Sequence, residues 1–351
     1  MATLYLIEQN TILRKSGDRL LLCRKPPVNR YSPGVRQDDI LVEWPCSDID
    51  HVMVFGNVQI TTQTLHQLLE KGIETALFTL HGELLGQVTP PMGKNIFLRI
   101  RQFEKYQDNR FRIDFAQKLV YAKICNALHM LRAHAKNNPQ ILEERELTDL
   151  PAALEKINEC RDPESLVGLE GSTAATYFKI LSKLLPPVWQ FAGRSKRPPK
   201  DPANAVLSFG YTLAASELAS LLDGAGFDPC LGYFHEPDYG RPSLALDLME
   251  PFRHPLVDRL MLTLFNLKIL DQTDFTALPR GGTYLSESGK RKFIEHYEKM
   301  LGPYQDDLPQ ENDQPKYRAA FQQQVAHMAK CIKDEVSFAP FRLDEKKINK
   351  S

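Results

Sequence analysis

Up to about residue 90, apolar positions come in short leucine-rich and β-branched bursts separated by turn residues. Thr3 to Glu8, Thr11 to Lys15, Arg19 to Cys23, Ile40 to Trp44, His51 to Phe55, Thr75 to Thr79 and Glu83 to Val88 each predict a strand. Ser16-Gly17-Asp18 and His81-Gly82 predict the intervening turns. A single helix breaks the series over Thr62 to Lys71, with Leu65, Leu68 and Leu69 on one face and Gly72 as its stop.

Near Pro91 the period changes from two to 3.6 and stays there. Helices are predicted over Asn95 to Tyr106 and from about Phe111 to His134, where Leu119, Ala122, Ile124, Leu128 and Leu131 form the apolar side. Lys118, Lys123 and Arg132 read as a solvated face; the alternative is a phosphate-tracking face continuing Arg99, Arg101, Lys105, Arg110 and Arg112. Asp162-Pro163 caps and starts a further helix that Pro186-Pro187 stops. Asp201-Pro202 starts the next, expected to reach about Asp223 with Gly224 beyond it, and another is expected to begin at Pro255 and extend to about Leu270. Gly281-Gly282-Thr283 predicts a loop or short hairpin, Ser286 or Ser288 a cap for the helix carrying Lys290 to Leu301, and Tyr317 to Lys333 a last helix. Gly302 to Pro315 is acidic and proline-containing, and is expected to be mobile. The fold class is therefore α+β, with a small β-rich domain over 1–90 and a larger all-α domain over 91–351.

With 351 residues, 42% of them hydrophobic, the chain has enough apolar material for two cores. Lys plus Arg and Asp plus Glu both number 44, so any surface for nucleic acid must be local rather than global. The six cysteines are scattered without a C-x-x-C pair, which excludes a zinc ribbon and predicts free thiols in a reducing cytosol. No signal peptide and no uninterrupted apolar run of about eighteen residues is present, so a cytoplasmic protein with no membrane association is expected. A P-loop is absent, and Gly168-Leu169-Glu170-Gly171 lacks the strand-to-loop context of a dinucleotide fingerprint.

Chemistry concentrates in Leu231 to Arg253, LGYFHEPDYGRPSLALDLMEPFR. His235 sits in a turn-rich stretch, and the helix after it carries Asp247 and Glu250 on one face. Ser243, Asp247, Glu250 and His254 form a polar stripe opposite Leu244, Leu248 and Phe252. Upstream, Glu170 falls on the inward stripe of Leu166, Ala174, Tyr177 and Leu181, where an unpaired charge is costly. A divalent cation shared by Glu170, His235 and the second helix's carboxylates would resolve that; a buried ion-pair network in a non-catalytic scaffold would too. His51, His66 and His81 have no ligand-type neighbour at metal spacing and read as structural or exposed.

Between these segments lies Gly193 to Lys200, GRSKRPPK, whose Arg194, Lys196, Arg197 and Lys200 suit a proline-extended loop following phosphates, or a plain soluble linker. Arg241 is a further DNA-binding candidate. Asn204, Ser208 and Tyr211 draw a polar line along an apolar helix, either supporting the ligands from behind or making ordinary helix-packing hydrogen bonds.

Three motifs in order, GLEGSTAATYF, RSKRPPKDPANAVLSFGYTL and GFDPCLGYFHEPDYGRPSLALDLMEPFR followed by VDRL, closely resemble the core motifs of the CRISPR-associated integrase family, which inserts new spacers into CRISPR arrays. The likeness extends to the strand-rich opening and to TYLSESGKRKFIEHYEKML, and so covers nearly the whole chain. It implies metal ligands at Glu170, His235 and Glu250, with Asp247 as an additional acidic residue of the site.

The resemblance further implies a homodimer that works with a small CRISPR-associated partner of ferredoxin-like fold on double-stranded DNA. Two carboxylates and one imidazole suit Mg²⁺ or Mn²⁺, the nitrogen favouring Mn²⁺. The expected reaction is metal-dependent transesterification of a repeat phosphate by the 3′-hydroxyl of a new fragment, with His235 a ligand, a proton donor to the leaving oxygen, or both. The competing reading is a nuclease that uses the same site with water, on branched DNA in repair. Crowding of carboxylates in an empty site predicts that alanine at Glu170, His235 or Glu250 leaves metal-free stability little changed or raises it.

Overall fold

The computed structural model describes residues 2–25, 39–90, 95–137, 139–142, 147–195, 198–279, 281–302 and 317–343. The described residues form two compact units, one over 2–90 and the other from 95 onward.

Among the described residues the first unit holds two four-stranded sheets and one α-helix. In one, β1 (Ala2–Leu6), β5 (Ile49–Phe55) and β7 (Glu74–Phe78) run parallel, and β8 (Leu84–Val88) pairs antiparallel with β7 across the expected hairpin. The other has the order β4 (Ile40–Pro45), β3 (Arg19–Arg24), β2 (Thr11–Ser16), β6 (Val58–Ile60). Strand β6, parallel to β2, was not expected, because three residues are too short to show alternation. Leu4, Leu6, Leu13, Leu20, Leu22, Val52 and Val54 form the core with Leu68 of α1 (Thr62–Glu70).

Helix α1 is turned relative to expectation. It buries Thr64, Gln67 and Leu68, while Leu65 and Leu69 are less completely enclosed than the leucine face predicts. The reason is polar: Thr64 Oγ1 donates to Leu13 O at 3.4 Å and Gln67 Nε2 to Gly17 O at 2.9 Å, satisfying carbonyls of the strand and turn beneath. His66 is exposed, and His51 and His81 are half-buried.

The second unit is helical: α2 (Ile96–Gln107), α3 (Asn109–Asn137), α4 (Asp149–Lys156), α5 (Pro163–Lys183), α6 (Pro202–Ala225), α7 (Ser243–Met249), α8 (Arg259–Asn266), α9 (Glu287–Leu301) and α10 (Tyr317–Ile332). A small hairpin, β9 (Phe275–Ala277) with β10 (Thr283–Leu285), is inserted before α9. The caps follow the sequence: Asp162 accepts from Ser165 N at 2.8 Å, Asp201 from Asn204 N at 2.8 Å, and Ser286 from Gly289 N at 3.3 Å. Helix α6 runs two residues beyond expectation, through Gly224, and ends on Gly226 at φ +98°. Most of the acidic stretch before α10 lies outside the described residues.

Helix α6 is the centre of this unit. By length and composition it could cross a membrane, with a mean hydropathy of 1.4, yet 83% of its most apolar window is buried inside the protein. Its apolarity is therefore spent on the core. The six cysteines all carry free thiols.

No separate helix begins at Pro255. From Ser243 the chain stays helical, passing from α7 through a 3₁₀ turn (Glu250–Phe252) and a π-helical turn (Arg253–Asp258) into α8. Pro255 has no N–H for the carbonyl four residues back, that of Pro251, and its ring would crowd it. Widening to a π turn relieves the crowding, and Asn126 of α3 donates to Pro251 O at 2.7 Å in place of the missing N–H.

Helix α6 comes close to this π turn at Gly210, where a Cβ would lie 2.6 Å from Val257 Cγ1 and 3.0 Å from Phe293 Cζ. Gly210→Ala should therefore cost about 1–3 kcal/mol of overpacking despite its better helix propensity. Adding Val257→Ala to Gly210→Ala should recover part of the loss from Gly210→Ala. Urea denaturation of the single and double variants measures both; a neutral Gly210→Ala would mean that the two elements are not in tight contact.

Candidate active site

Three elements of the helical unit present the charged side chains. Glu170 comes from α5, Lys123 from α3, and Glu250 and Arg253 from the 3₁₀ and π turns after α7. The Lys123 ammonium lies between the two glutamates, in a close ion pair with Glu170 Oε1 and 2.6 Å from Glu250 Oε2. Arg253 Nε lies 3.0 Å from Glu250 Oε1. Glu250 is almost fully enclosed, at 4% side-chain exposure, whereas Glu170 keeps 22%.

His235 approaches from the turn before α7, its Nε2 3.8 Å from Glu250 Oε1. Its Nδ1 is 2.7 Å from Asp247 Oδ1. A carboxylate accepts, so Nδ1 is the donor to Asp247 and Nε2 is the nitrogen turned toward Glu250. Asp247 is itself fully buried and fully used: Oδ2 accepts from Tyr233 N at 2.7 Å and Phe234 N at 3.0 Å, and Oδ1 also from His235 N at 2.9 Å. Its place is thus behind the histidine, fixing tautomer and ring plane. Gly232 makes this wrap possible, since a Cβ there would lie 2.7 Å from His235 O and 2.9 Å from Asp247 Oδ2. Buried Gln102 of α2 holds the turn from outside, accepting from Asp228 N at 2.8 Å and donating to Asp228 O and Leu231 O.

Burial alone would raise the Glu250 carboxyl, but Arg253, then Lys123 and His235, outweigh it and hold it far below the usual carboxylate range. For Lys123, burial pushes the ammonium down, and Glu250 and Glu170 more than reverse this. Both groups are therefore charged.

A deeper layer centres on Asp258, in the VDRL segment. It accepts from the hydroxyl of Tyr211 at Oδ1, from that of Tyr177 at 2.8 Å at Oδ2, and faces His254 Nδ1 at 2.7 Å. Burial first, then the Asp258 charge, drives both tyrosines well above their ordinary value, so they remain neutral donors. The Tyr211 ring in turn supports Arg253, whose guanidinium lies 4.5 Å from its centroid.

The polar line on α6 thus does not touch the glutamates. Tyr211 reaches the site through Arg253 and Asp258, while Asn204 and Ser208 hold the basic loop. Arg194 donates to Asn204 Oδ1 at 2.8 Å and Ser208 Oγ at 3.1 Å, so its guanidinium is turned back onto α6. Lys200 is exposed and Arg241 half-buried; Lys196 and Arg197 lie outside the described residues. On the other candidate face, Arg101, Lys105 and Arg112 are paired with Glu104, Asp334 and Glu236.

Lys123 is the residue that reading of a solvated α3 face missed. Phe115, Leu119, Lys123, Ala127 and Leu131 form an i+4 row and all five are buried, so one lysine interrupts an apolar ridge. That interruption was the available signal. Arg253 and Asp258 had no comparable mark.

Among the described residues no three carboxylate, imidazole or thiol side chains meet at one point. Glu170 and Glu250 flank Lys123 instead, and Arg253 and His235 both approach Glu250. The donor set nonetheless fits a divalent cation: two carboxylates, an imidazole nitrogen with its proton held on the far side, and Glu250 Oε2, which is buried and, although beside the ammonium, lacks an aligned hydrogen bond.

Fold and site together define an α+β protein with a buried carboxylate–histidine centre in its helical unit. The family model described as "CRISPR associated protein Cas1" matches residues 4–299, and the chain belongs to that family. A CRISPR-associated endonuclease Cas1 of Thermus thermophilus is 34% identical over 301 residues, covering 86% of this chain and 85% of the relative. A solved casposase bound to an integration product has the same fold, with TM-score 0.83, 22% identity, and 99% and 98% of the two chains covered. So does a chain of a Cas6-RT-Cas1–Cas2 complex, at TM-score 0.81 and 24% identity over 98% of this chain and 36% of that one.

The expected gain of stability on removing a glutamate is reversed by this geometry, because the carboxylates are neutralised rather than crowded. Glu250→Ala strands Arg253 and half of Lys123's pairing, and should cost about 3–5 kcal/mol. Glu170→Ala should cost less, since Glu170 is more exposed and Lys123 keeps Glu250. Because the Glu250 pKa is depressed on folding, its contribution is present above the unfolded value of about 4.3 and fades as pH falls below that. Denaturant titrations of wild type and Glu250→Gln from pH 7 to pH 3 should draw closer below about pH 4.3 without meeting at pH 3, where the folded carboxyl is still ionised; parallel curves would contradict the assignment.

Proposed function

We propose that this chain is a metal-dependent DNA endonuclease and integrase of CRISPR adaptation, joining 3′-hydroxyl ends of new spacer DNA to a repeat by phosphodiester transesterification. The observation that carries the reading is that Glu170 and Glu250, drawn from the first and last motifs of the series, share the Lys123 ammonium, while His235, aimed by Asp247, brings Nε2 to 3.8 Å from Glu250 Oε1. Family membership supports it, as do the names of the relatives, which are endonucleases of CRISPR systems, and the integration product held by a protein of the same fold.

Glu170, Glu250 and His235 Nε2 would hold Mg²⁺ or Mn²⁺. The ion supplies Lewis acidity toward the phosphodiester at neutral pH. His235 carries its proton at Nδ1 against Asp247, so Nε2 can bind the ion or, once protonated, release a proton to the departing oxygen. Arg253 keeps Glu250 ionised and so keeps that donor available. Double-stranded DNA would be followed by Lys200 and Arg241, with Lys196 and Arg197 of the same basic loop. Joining two ends of one fragment calls for two such sites at a fixed separation, which a homodimer bridged by a small ferredoxin-like partner provides. The Cas2 named in the complex of like fold is consistent with that partner. Six free thiols suit a reducing cytoplasm.

The deciding test uses the chain with its partner, repeat-containing DNA and Mn²⁺ or Mg²⁺. Fragments with 3′-hydroxyl ends should become covalently joined, and 3′-dideoxy ends should not. Glu170→Ala, His235→Ala and Glu250→Gln should each lower joining by about two orders of magnitude or more. If blocked ends join equally well, or if only hydrolysis is seen, a branched-DNA nuclease replaces the integrase.

The surface has its own test. Lys200→Glu with Arg241→Glu should weaken DNA binding at all sequences and reduce the slope of log K against log[salt] by about one per lost phosphate contact. Arg194 is left intact, since it is tied to α6. An unchanged slope would return the loop to a linker.

A further inference from the structure

The second unit folds with a cation already between its two site glutamates. Lys123 is buried in the apolar ridge of α3, and its ammonium is paired with Glu170 Oε1 and lies 2.6 Å from Glu250 Oε2. These are the oxygens that a divalent ion would need. An ammonium and a divalent ion cannot both sit in contact with them, because like charges at such distances in a poorly screened interior repel strongly. The lysine stem is four flexible carbons, and its side chain retains 10% exposure, so the head has a way out toward the Glu170 side, where exposure is 22%.

We propose that Lys123 is a positioning residue that acts as an internal counter-ion: it holds Glu170 and Glu250 together in the metal-free protein and must withdraw for the divalent cation to bind. The proposal rests on the metal reading given above and concerns how that site is loaded. Its consequence is a site that is already in place before metal arrives, at the expense of metal affinity. Arg253 is not equivalent, since its ion pair is with Glu250 Oε1 and its guanidinium is held from behind by Tyr211. Removing Lys123 should therefore have two opposite effects. The metal-free protein loses the charge that compensates two facing carboxylates, and the metal-bound protein loses its competitor.

The experiment is calorimetric titration of Mn²⁺ into the full chain, with thermal unfolding in EDTA and in excess Mn²⁺, for wild type, Lys123→Met and Lys123→Gln. Expected are a Kd for Mn²⁺ at least about tenfold lower in both variants, a lower Tm than wild type in EDTA, and a larger rise in Tm on adding Mn²⁺. Variants that bind Mn²⁺ no more tightly than wild type overturn the competition while leaving the metal site standing. If neither wild type nor variants bind Mn²⁺ or Mg²⁺, the metal assignment falls and the competition with it. Should neither variant fold, amine acetylation of the wild type read by mass spectrometry decides: Lys123 should be protected in EDTA and become reactive with Mn²⁺, and equal protection in both overturns the proposal.

Discussion

The ion pair of Lys123 with Glu170 and Glu250 is the constraint around which the helical unit is arranged. A lysine in the middle of an apolar ridge is tolerated only if charge of opposite sign is brought to it, and here α5 and the 3₁₀ turn after α7 each deliver one carboxylate. Three helical elements distant in sequence are thereby fixed against one another. Asn126, one turn further along α3, adds a second hold by taking the role that the Pro255 ring cannot play, donating to Pro251 O next to Glu250. One helix thus secures both the side chain and the neighbouring backbone of the site's most buried glutamate.

Behind this layer the polar groups are closely paired. Two fully buried aspartates each face a histidine, Asp247 with His235 and Asp258 with His254, and the two aspartates are separated by the 3₁₀ and π turns. The turns matter because they rotate Glu250 and Arg253 off the regular helical path. Arg253 then joins the layers, with Glu250 in front and the Tyr211 ring behind. A histidine held by Asp247 next to a carboxylate kept ionised by its cations supports the phosphodiester chemistry proposed above.

Local chemistry accounts for much of what could be read in advance. The cap and the fixed φ of an aspartate followed by proline act within one turn, and α5 and α6 begin where Asp162-Pro163 and Asp201-Pro202 say, whereas Asp228-Pro229 starts only a turn. Polar residues were harder to place. Thr64 and Gln67 face inward on α1 because particular carbonyls lie beneath them, and Asn204 and Ser208 serve Arg194 because the loop folds back on α6.

By itself the sequence determined the change from strand to helix near residue 90, most helix starts and the three motifs, whose resemblance pointed to Glu170, His235 and Glu250. These depend on period, capping and residue type, all of which are local. The tertiary structure alone decided that Lys123 lies between the two glutamates, that Asp247 orients the histidine from behind, that Arg194 folds back onto α6, and that Pro255 lies within a continuous helical path. Each of these depends on which charged or hydrogen-bonding group another segment supplies, and a partner 47 residues away, as Glu170 is from Lys123, leaves no spacing signature in the chain.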